Sequence, residues 1–465
     1  MATLMSTAEI ESALGFFETT YPKLCQRIAL PNTSVEGRTC HALHMGLPNA
    51  AGHPAALVIG GVHAREWGGP DIVVSFAGDI LRAYTAGKGL QYGGKSFTAA
   101  EIKQLFEATT VVVFPCVNPD GVEHSHNTFP LWRKNRNPAA SSGQPDLIGV
   151  DINRNYDFLW DFKKYFDPAV WGGSLASDDP ASETFHGSAP FSEPETRNVK
   201  WLMDTFANLR LFLDLHSFTG DVLYNWGDDD NQSINPGMNF GNPAFDGKRG
   251  VLNSGYGEYL GHADAMLTDS VARAIRDAMD AVRGRSYKAV QSVGLYATAG
   301  TSDDYAFARH LVQPGQSKVF SYTVEFNFQS DGDTANPPTS PFLVTADPAV
   351  LDQTLLEVIP GLIAFCLQGP RVALPVPAPP SIVGVLDTVY VNPFTGEIWY
   401  LGGDGKIHKT PPIPDPYRST VANEIWRLVG AYEGVAAVGG PAGDIARQGL
   451  LKSIAEVARA AGGPG

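Results

Sequence analysis

The chain has 465 residues, of which 43% are hydrophobic and 18% are charged, a composition that excludes a largely disordered protein. Acidic residues outnumber basic ones by 49 to 34, and the formal charge of -15 argues against the basic surface that a nucleic-acid partner requires. The sequence contains no run of about 18 apolar residues, so no membrane span is expected.

The first residues show no basic stretch followed by an apolar core, so no secretory signal is expected. The four cysteines, Cys25, Cys40, Cys116 and Cys366, form no C-x-x-C pair. Reduced thiols and a cytoplasmic location are therefore the expectation. An alternative stays open, because Cys25 and Cys40 flank a predicted strand-turn-strand and would pair in an oxidising compartment.

The amino-terminal half is predicted to alternate between helices and strands. A helix is expected over the first 22 residues with Thr7 as its N-cap, followed by strands over 25–30 and 39–44. A continuous apolar run predicts a buried strand over 55–61, followed by a helix over 68–84 and a second buried strand over 109–117. The sequence Asn118-Pro-Asp-Gly121 is predicted to end that strand in a turn.

Residues 124–192 show little periodicity, and so long an irregular stretch in a compact domain is usually functional. Helices are then predicted over 193–206, 263–283 and 349–368, with strands over 209–215 and 317–328 and a polar loop over 226–258. This alternation predicts an α/β fold with a mixed, mostly parallel central sheet flanked by helices.

The carboxy-terminal part differs in composition from the rest. We expect a catalytic domain over 1–369, a proline-rich linker over 370–380 and a small accessory module over 381–465. The module contains short β-like segments and a helical tail from about residue 418, and its function is not predicted.

A metal-binding pattern follows the first buried strand. The sequence Gly60-Gly-Val-His-Ala-Arg-Glu66 places His63 and Glu66 three residues apart at a turn entering a helix, where both side chains lie on one face. A third ligand, His216, stands at the end of the strand over 209–215, and sites in open α/β sheets gather at the carboxyl ends of strands. Catalytic zinc takes three such ligands and keeps a fourth position for water, so these residues predict a single Zn²⁺ per chain.

The alternative for this pattern is an ordinary His/Glu pair on a helix surface, since a spacing of three occurs by chance in a chain with 11 histidines. The position directly after strand glycines, together with a second histidine at a strand end, favours the metal site.

Eight motifs then occur in a consistent order: GGVHAREW, NPDG, WRKNR, DINRNY, ETFHGSAPFSEPET, DLHS, LYATAGTSDDYAF and YTVEFNF. Together they resemble the zinc carboxypeptidases of the pancreatic A/B type, over about residues 7 to 368. The resemblance implies the fold of that family and hydrolysis of the C-terminal peptide bond of peptides and proteins.

The resemblance also implies roles for individual side chains. Arg136 matches the arginine that stabilises the oxyanion, and Glu325 matches the general base that takes a proton from the zinc-bound water. Asn153 and Arg154 match the pair that grips the terminal carboxylate of the substrate, for which the planar arginine fork is suited. Tyr296 matches a mobile tyrosine that closes over the bound end.

Three further residues are implied in substrate binding. Arg65 is expected to bind the substrate, and Ser217 is expected to shape the pocket near the metal. Asp303 falls where the family places the floor of the pocket for the leaving side chain, and an acid there predicts a preference for C-terminal Lys or Arg. The alternative for Asp303 is a helix cap.

The chain departs from the family pattern in three ways. Phe218 stands where many relatives have tyrosine, which affects outer-subsite binding. About seven more residues than usual, around 310–319, precede Glu325 and put its register in question. The pattern begins almost at Met1, so no pro-segment is expected.

Two other functions are compatible with the sequence. A zinc amidase or deacylase acting on N-acyl amino acids or cell-wall peptides would use the same metal triad and carboxylate clamp. A decayed enzyme would hold C-terminal tails without cleaving them, but it would be expected to lack a ligand or the base. The sequence gives no oligomeric state.

Overall fold

The structure of the protein is a computed structural model. It describes residues 4–47, 52–141, 143–144, 147–313, 315–328, 342 and 348–373, and the backbone of three short strands within 389–409. The chain divides into two units, one formed by Met1–Tyr259 with Val271–Leu374 and the other by Leu260–Ser270 with Pro375–Gly465.

The helices lie mainly between the strands in sequence. They are α1 (Thr7–Thr20), α2 (Gly69–Ala86), α3 (Ala99–Ala108), α4 (Pro119–Asn127), α5 (Phe162–Tyr165), α6 (Pro194–Thr205), α7 (His262–Arg283), α8 (Ser302–Val312), α9 (Pro348–Cys366) and α10 (Gly369–Ala373).

The strands of the first unit are β1 (Cys25–Ala29), β2 (His41–Met45), β3 (Ala55–Gly60), β4 (Leu90–Tyr92), β5 (Lys95–Phe97), β6 (Thr110–Phe114), β7 (Leu209–Ser217), β8 (Asp221–Tyr224), β9 (Asn231–Gln232), β10 (Glu258–Tyr259), β11 (Lys288–Gln291) and β12 (Phe320–Phe326). Eight of them form one sheet in the order β1-β2-β6-β3-β7-β12-β8-β11. Its centre, β6-β3-β7-β12, is parallel, whereas β1, β2 and β8 make antiparallel pairs.

The central strands are apolar because both faces of the sheet are covered. Every residue of β3 is buried, as expected for a parallel strand inside a sheet with helices packed on it. Helix α2 packs against α1, α3 and α9, and α8 packs against β7 and β12. The prediction of a mixed, mostly parallel sheet flanked by helices is confirmed.

Helix α9 belongs to the core of this unit. In the described part of the chain, the segment Ala349–Val372 is the one helical stretch long and apolar enough to cross a membrane, and 67% of its most apolar window is buried inside the protein. Core helices of globular proteins have the same composition and burial.

Two local predictions were wrong. The N-cap of α1 is Ser6, which forms a capping box with Glu9, and Thr7 is the first helical residue. Asn118 does not begin a turn. Its side chain accepts the N–H of Gly121 and caps α4, in which Pro119 takes the first position.

All four cysteines are unpaired and buried, so Cys25 and Cys40 do not form the disulfide that had been left open. In the second unit, β13 (Val389–Val391), β14 (Ile398–Leu401) and β15 (Ile407–Lys409) form an antiparallel sheet in that order. The helical tail predicted from about residue 418 lies outside the described residues, and the domain boundaries at 369 and 380 stay a prediction.

Candidate metal centre and active site

The first two candidate ligands are delivered by a sharp turn at the end of β3. Gly61 has a φ of +65°, and a Cβ atom at this position would lie 3.0 Å from Cγ of Pro70. Only glycine adopts this conformation without strain, so the turn brings His63 and Glu66 to the carboxyl edge of the sheet. Both side chains are buried.

The third candidate ligand, His216, comes from the end of β7, and the three side chains converge. Nδ1 of His63 lies 2.8 Å from Oε1 of Glu66. Nδ1 of His216 lies 3.0 Å from Oε2 of Glu66 and 3.0 Å from Nδ1 of His63. Two imidazole nitrogens that face each other this closely repel unless a cation or a proton lies between them.

The donor set fits a zinc ion. One nitrogen from each imidazole and one carboxylate oxygen lie within 4.8 Å of one another, and two histidines with one glutamate form a known catalytic zinc set. Nε2 of His63 lies 3.1 Å from Oδ1 of Asp151, and Nε2 of His216 lies 3.0 Å from Oδ1 of Asp214. Carboxylates behind the ligating imidazoles are the usual support of such sites.

The charges around the three side chains support the same conclusion. Burial would raise the pKa of Glu66, but the imidazoles of His63 and His216 outweigh it and hold that pKa below its ordinary value. Burial would lower the pKa of His216, but the carboxylates of Asp214 and Glu66 outweigh it and hold that pKa well above its ordinary value. The pocket therefore favours positive charge between these groups.

A cavity of about 420 Å³ opens beside the cluster. Of the eleven residues predicted for the site, nine line this cavity: His63, Arg65, Glu66, Asn153, Arg154, Ser217, Tyr296, Asp303 and Glu325. His216 does not line the cavity but completes the candidate metal set with His63 and Glu66. The structure therefore brings together all but one of the predicted residues.

Glu325 reaches the site from β12. In the parallel pairing of β12 with β7, Glu325 is the register partner of His216, so the two side chains emerge side by side. Burial, followed by the nearby charge of Glu66, raises the pKa of the Glu325 carboxyl to about 8. A carboxyl with its pKa moved toward neutrality is suited to proton transfer.

Asn153 and Arg154 lie together on the wall of the cavity. Oδ1 of Asn153 accepts the N–H of Ser302 at 2.9 Å, which leaves its NH₂ group as the donor toward a ligand. The guanidinium of Arg154 is held by the carbonyls of Ser174, at 2.7 Å from Nη2, and Asn153, at 2.6 Å from Nη1. Both donors are therefore fixed before a ligand arrives.

The segment opposite this pair is packed closely against it. Gly300 has a φ of +68°, and a Cβ atom there would lie 2.3 Å from the carbonyl oxygen of Arg154. This close approach places Asp303 at the cavity, where the residue is 4% exposed. Its Oδ1 accepts the N–H of Asp304 at 2.9 Å, and its Oδ2 accepts the hydroxyl of Thr323 at 3.2 Å. Burial raises the pKa of Asp303.

The mouth of the cavity carries a cation and aromatic rings. Nη1 of Arg65 lies 3.0 Å from Oε2 of Glu183, and its guanidinium carbon lies 4.6 Å from the centre of the Phe342 ring. Phe342 also makes an edge-to-face contact with Phe218, with ring centres 4.7 Å apart. Tyr296 is 39% exposed, which leaves room for movement of its side chain.

Arg136, predicted to stabilise the oxyanion, is not among the described residues that line the cavity. Its guanidinium carbon lies 4.5 Å from the centre of the Trp132 ring, and its Nε lies 4.0 Å from Oε1 of Glu36. Arg133 lines the cavity instead. The motif holds two arginines three residues apart, and only the fold determines which of them turns toward the metal.

Besides Arg133, three contributing residues were not predicted from the sequence. Asp151 and Asp214, which support the imidazoles, stood within the quoted motifs DINRNY and DLHS. Asp214 and His216 are two apart on a strand and therefore point to the same face, a signal that was available. Phe342 is far from every motif, and no sequence signal identified it.

Three comparisons with known proteins identify the family of this chain. The sequence matches the zinc carboxypeptidase family model over residues 10–347. It is 29% identical over 319 residues to carboxypeptidase B of Astacus astacus, which covers 68% of this chain and 84% of that protein. It is 34% identical over 212 residues to the inactive metallocarboxypeptidase ECM14 of Ajellomyces dermatitidis, which covers 44% of this chain and 31% of that protein.

Among solved structures, carboxypeptidase A from Helicoverpa armigera superposes with a TM-score of 0.56 at 24% identity, covering 80% of this chain and 74% of that one. At this identity the superposition shows a shared fold. Because the family model spans well over half of the sequence, the chain belongs to the zinc carboxypeptidase family.

Proposed function

We propose that this protein is an active carboxypeptidase with one Zn²⁺ per chain that removes C-terminal Lys or Arg from peptides and proteins. The observation that carries the proposal is the buried carboxylate of Asp303 in the same cavity as the metal cluster and the Asn153–Arg154 pair.

His63, Glu66 and His216 would hold the zinc ion. When bound, zinc polarises the scissile carbonyl and lowers the pKa of a water molecule. Glu325, adjacent to His216 in register, accepts the proton of the attacking water at its carboxylate and delivers it to the leaving amine.

The role of oxyanion donor, predicted for Arg136, fits Arg133. Its Nη1 lies 3.7 Å from Oε1 of Glu66, beside the metal cluster, and Asp151 fixes the guanidinium through Nε and Nη2 at 3.1 and 2.9 Å. A cation that is already held in place stabilises developing negative charge without the cost of reorganisation.

Recognition of the chain end supports exopeptidase action. The NH₂ group of Asn153 and the guanidinium of Arg154 supply donors for a terminal carboxylate, which a bond in the middle of a chain does not offer. Closure of Tyr296 over the bound end would exclude water from the cavity.

The pocket for the leaving side chain supports the preference for Lys and Arg. The residues that line the cavity include four hydroxyl side chains, those of Ser292, Thr298, Thr301 and Thr323, and the Thr323 hydroxyl donates to Oδ2 of Asp303. An apolar leaving side chain would bury the Asp303 carboxylate without a charged partner, whereas an ammonium or guanidinium would pair with it.

The relative ECM14 is inactive, so binding of C-terminal tails without catalysis is an alternative function for this chain. The three metal-binding side chains and Glu325 are all present at the cavity, which favours turnover over tail binding alone. An amidase acting on N-acyl amino acids would use the same groups, and substrate length separates the two activities.

The test uses zinc-loaded protein and peptides that differ in the last residue, Arg, Lys or Phe, each with a free and an amidated carboxyl end. We expect mass spectrometry to show release of Arg and Lys from the free peptides, slow release of Phe and no cleavage of the amides. The Asp303→Asn variant keeps the side-chain volume and should lose the preference for basic residues. Equal rates for Arg and Phe in the wild type would refute the specificity, and cleavage of amides or of N-acyl amino acids alone would refute exopeptidase action.

A further inference from the structure

The two histidines of the metal cluster are supported by different parts of the fold. Asp151, behind His63, lies in an irregular segment and also binds Arg133. Asp214, behind His216, lies two residues earlier on the same strand, so it shares a face with the histidine. Asp214 is fully buried.

Asp214 connects the metal cluster to the substrate clamp. Its Oδ1 lies 3.0 Å from Nε2 of His216, and its Oδ2 accepts the hydroxyl of Ser302 at 2.6 Å. The N–H of Ser302 in turn donates to Oδ1 of Asn153 at 2.9 Å. A short chain of contacts therefore runs from a metal ligand, through Asp214 and Ser302, to a residue that would bind the substrate carboxylate.

We propose that Asp214 is a positioning residue with two roles, holding His216 for the metal and holding Ser302 for the clamp. This inference rests on the metal site of the proposed function. The carboxylate of Asp214, with Oδ1 3.0 Å from Nε2 of His216, favours the tautomer that carries its hydrogen on Nε2, and this tautomer leaves the lone pair of Nδ1 facing Glu66 and His63, where the ion would lie.

The negative charge of Asp214 makes it a better acceptor for His216 than a neutral group would be. A carboxylate that is fully buried is costly unless it is paired. Asp214 gains a charged partner when His216 is bound to a divalent cation, and its other oxygen is satisfied by Ser302. Removal of Asp214 leaves the imidazole free to rotate or to adopt the other tautomer, which weakens metal binding.

The test measures zinc affinity directly, by competition with a chromophoric chelator, in the full-length protein. We expect Asp214→Ala to raise the zinc Kd about 10–100-fold, the usual effect of losing a partner of a ligating histidine. Asp214→Asn retains an oxygen that can accept the Nε2 hydrogen, so its Kd should lie between those of the wild type and the alanine variant. Ser302→Ala should change the Kd less than Asp214→Ala does.

Glu195→Gln is the matched control. Glu195 is also a buried carboxyl, but it is bonded to Asn135 at 3.1 Å and touches neither imidazole, so its zinc Kd should equal that of the wild type. If Asp214→Ala does not fold, the visible spectrum of cobalt-substituted Asp214→Asn decides the question. A shift relative to the wild type, with none in Glu195→Gln, supports the positioning role.

The outcomes separate this inference from the proposed function. An unchanged zinc Kd and cobalt spectrum in folded Asp214 variants would overturn the inference while leaving the metal site intact. A wild-type protein that binds no zinc would overturn the proposed function and, with it, the positioning role.

Discussion

The two arginines of the WRKNR motif offer a sharp test of the site, because one faces the metal cluster and the other does not. In Arg133, Nε and Nη2 are committed to Asp151, so Nη1 is the donor that remains for an oxygen of the substrate. Removing one such donor typically lowers kcat about 10²–10³-fold, equivalent to about 2.7–4 kcal/mol. We expect this loss for Arg133→Ala.

Arg136→Ala serves as the comparison within the same motif. The Arg136 guanidinium stacks on Trp132 near the protein surface, so its loss should cost about 0.5–1 kcal/mol of stability and leave kcat within a few-fold of the wild type. Kinetics with one C-terminal Arg peptide, together with the thermal unfolding midpoint of each variant, separate the two effects.

Folding must be checked for Arg133→Ala, because removing one partner of a buried ion pair costs about 3–5 kcal/mol. Arg133→Lys keeps the charge but not the two-point contact with Asp151, so it should be more stable than the alanine variant and still slow. The reasoning would be refuted by a 100-fold loss in Arg136→Ala together with near-normal turnover in a folded Arg133 variant.

Three further predictions concern the same site. Glu325→Gln should lower kcat about 10²–10⁴-fold while atomic absorption shows unchanged zinc content, and normal turnover would exclude Glu325 as the base. Burial raises the pKa of Asp303, and a basic side chain of the substrate selects its ionised form. The ratio of kcat/KM for Arg peptides to that for Phe peptides should therefore fall as the pH decreases through a value above the pKa of an ordinary aspartate. The Asp303→Asn variant should not show this trend. Removal of zinc by a chelator should abolish cleavage and lower the unfolding midpoint, and zinc should restore both.

Much of the fold can be predicted from patterns that are local in sequence. The apolar run of β3 and the alternation of helices and strands required only burial on both faces of a parallel sheet. The error at Asn118 arose because asparagine followed by proline begins turns and caps helices equally well. Tertiary contacts decide between the turn and the helix, and α4 is held by contacts with α1 that no local pattern contains.

In the candidate site, too, some features follow from local sequence patterns and others depend on tertiary contacts. The candidate metal ligands were predictable, because each lies at or just after the end of a strand and carries a distinctive side chain. The choice between Arg133 and Arg136 was not, since it depends on Asp151, which draws Arg133 inward, and on Trp132, which holds Arg136 outward. Phe342 reaches the cavity only through the tertiary fold.

The register of β12 against β7 has a consequence for how this protein tolerates change. Because Glu325 is placed by its hydrogen-bonded neighbour across the sheet, additional residues between α8 and β12 are absorbed before the strand begins. We expect that this connection could be shortened or exchanged for another sequence without altering the spacing between Glu325 and the candidate metal ligands. A single-residue deletion between Phe320 and Glu325 that keeps the start of β12 in register would, in contrast, turn Glu325 to the opposite face of the sheet and leave the cavity without the proposed base.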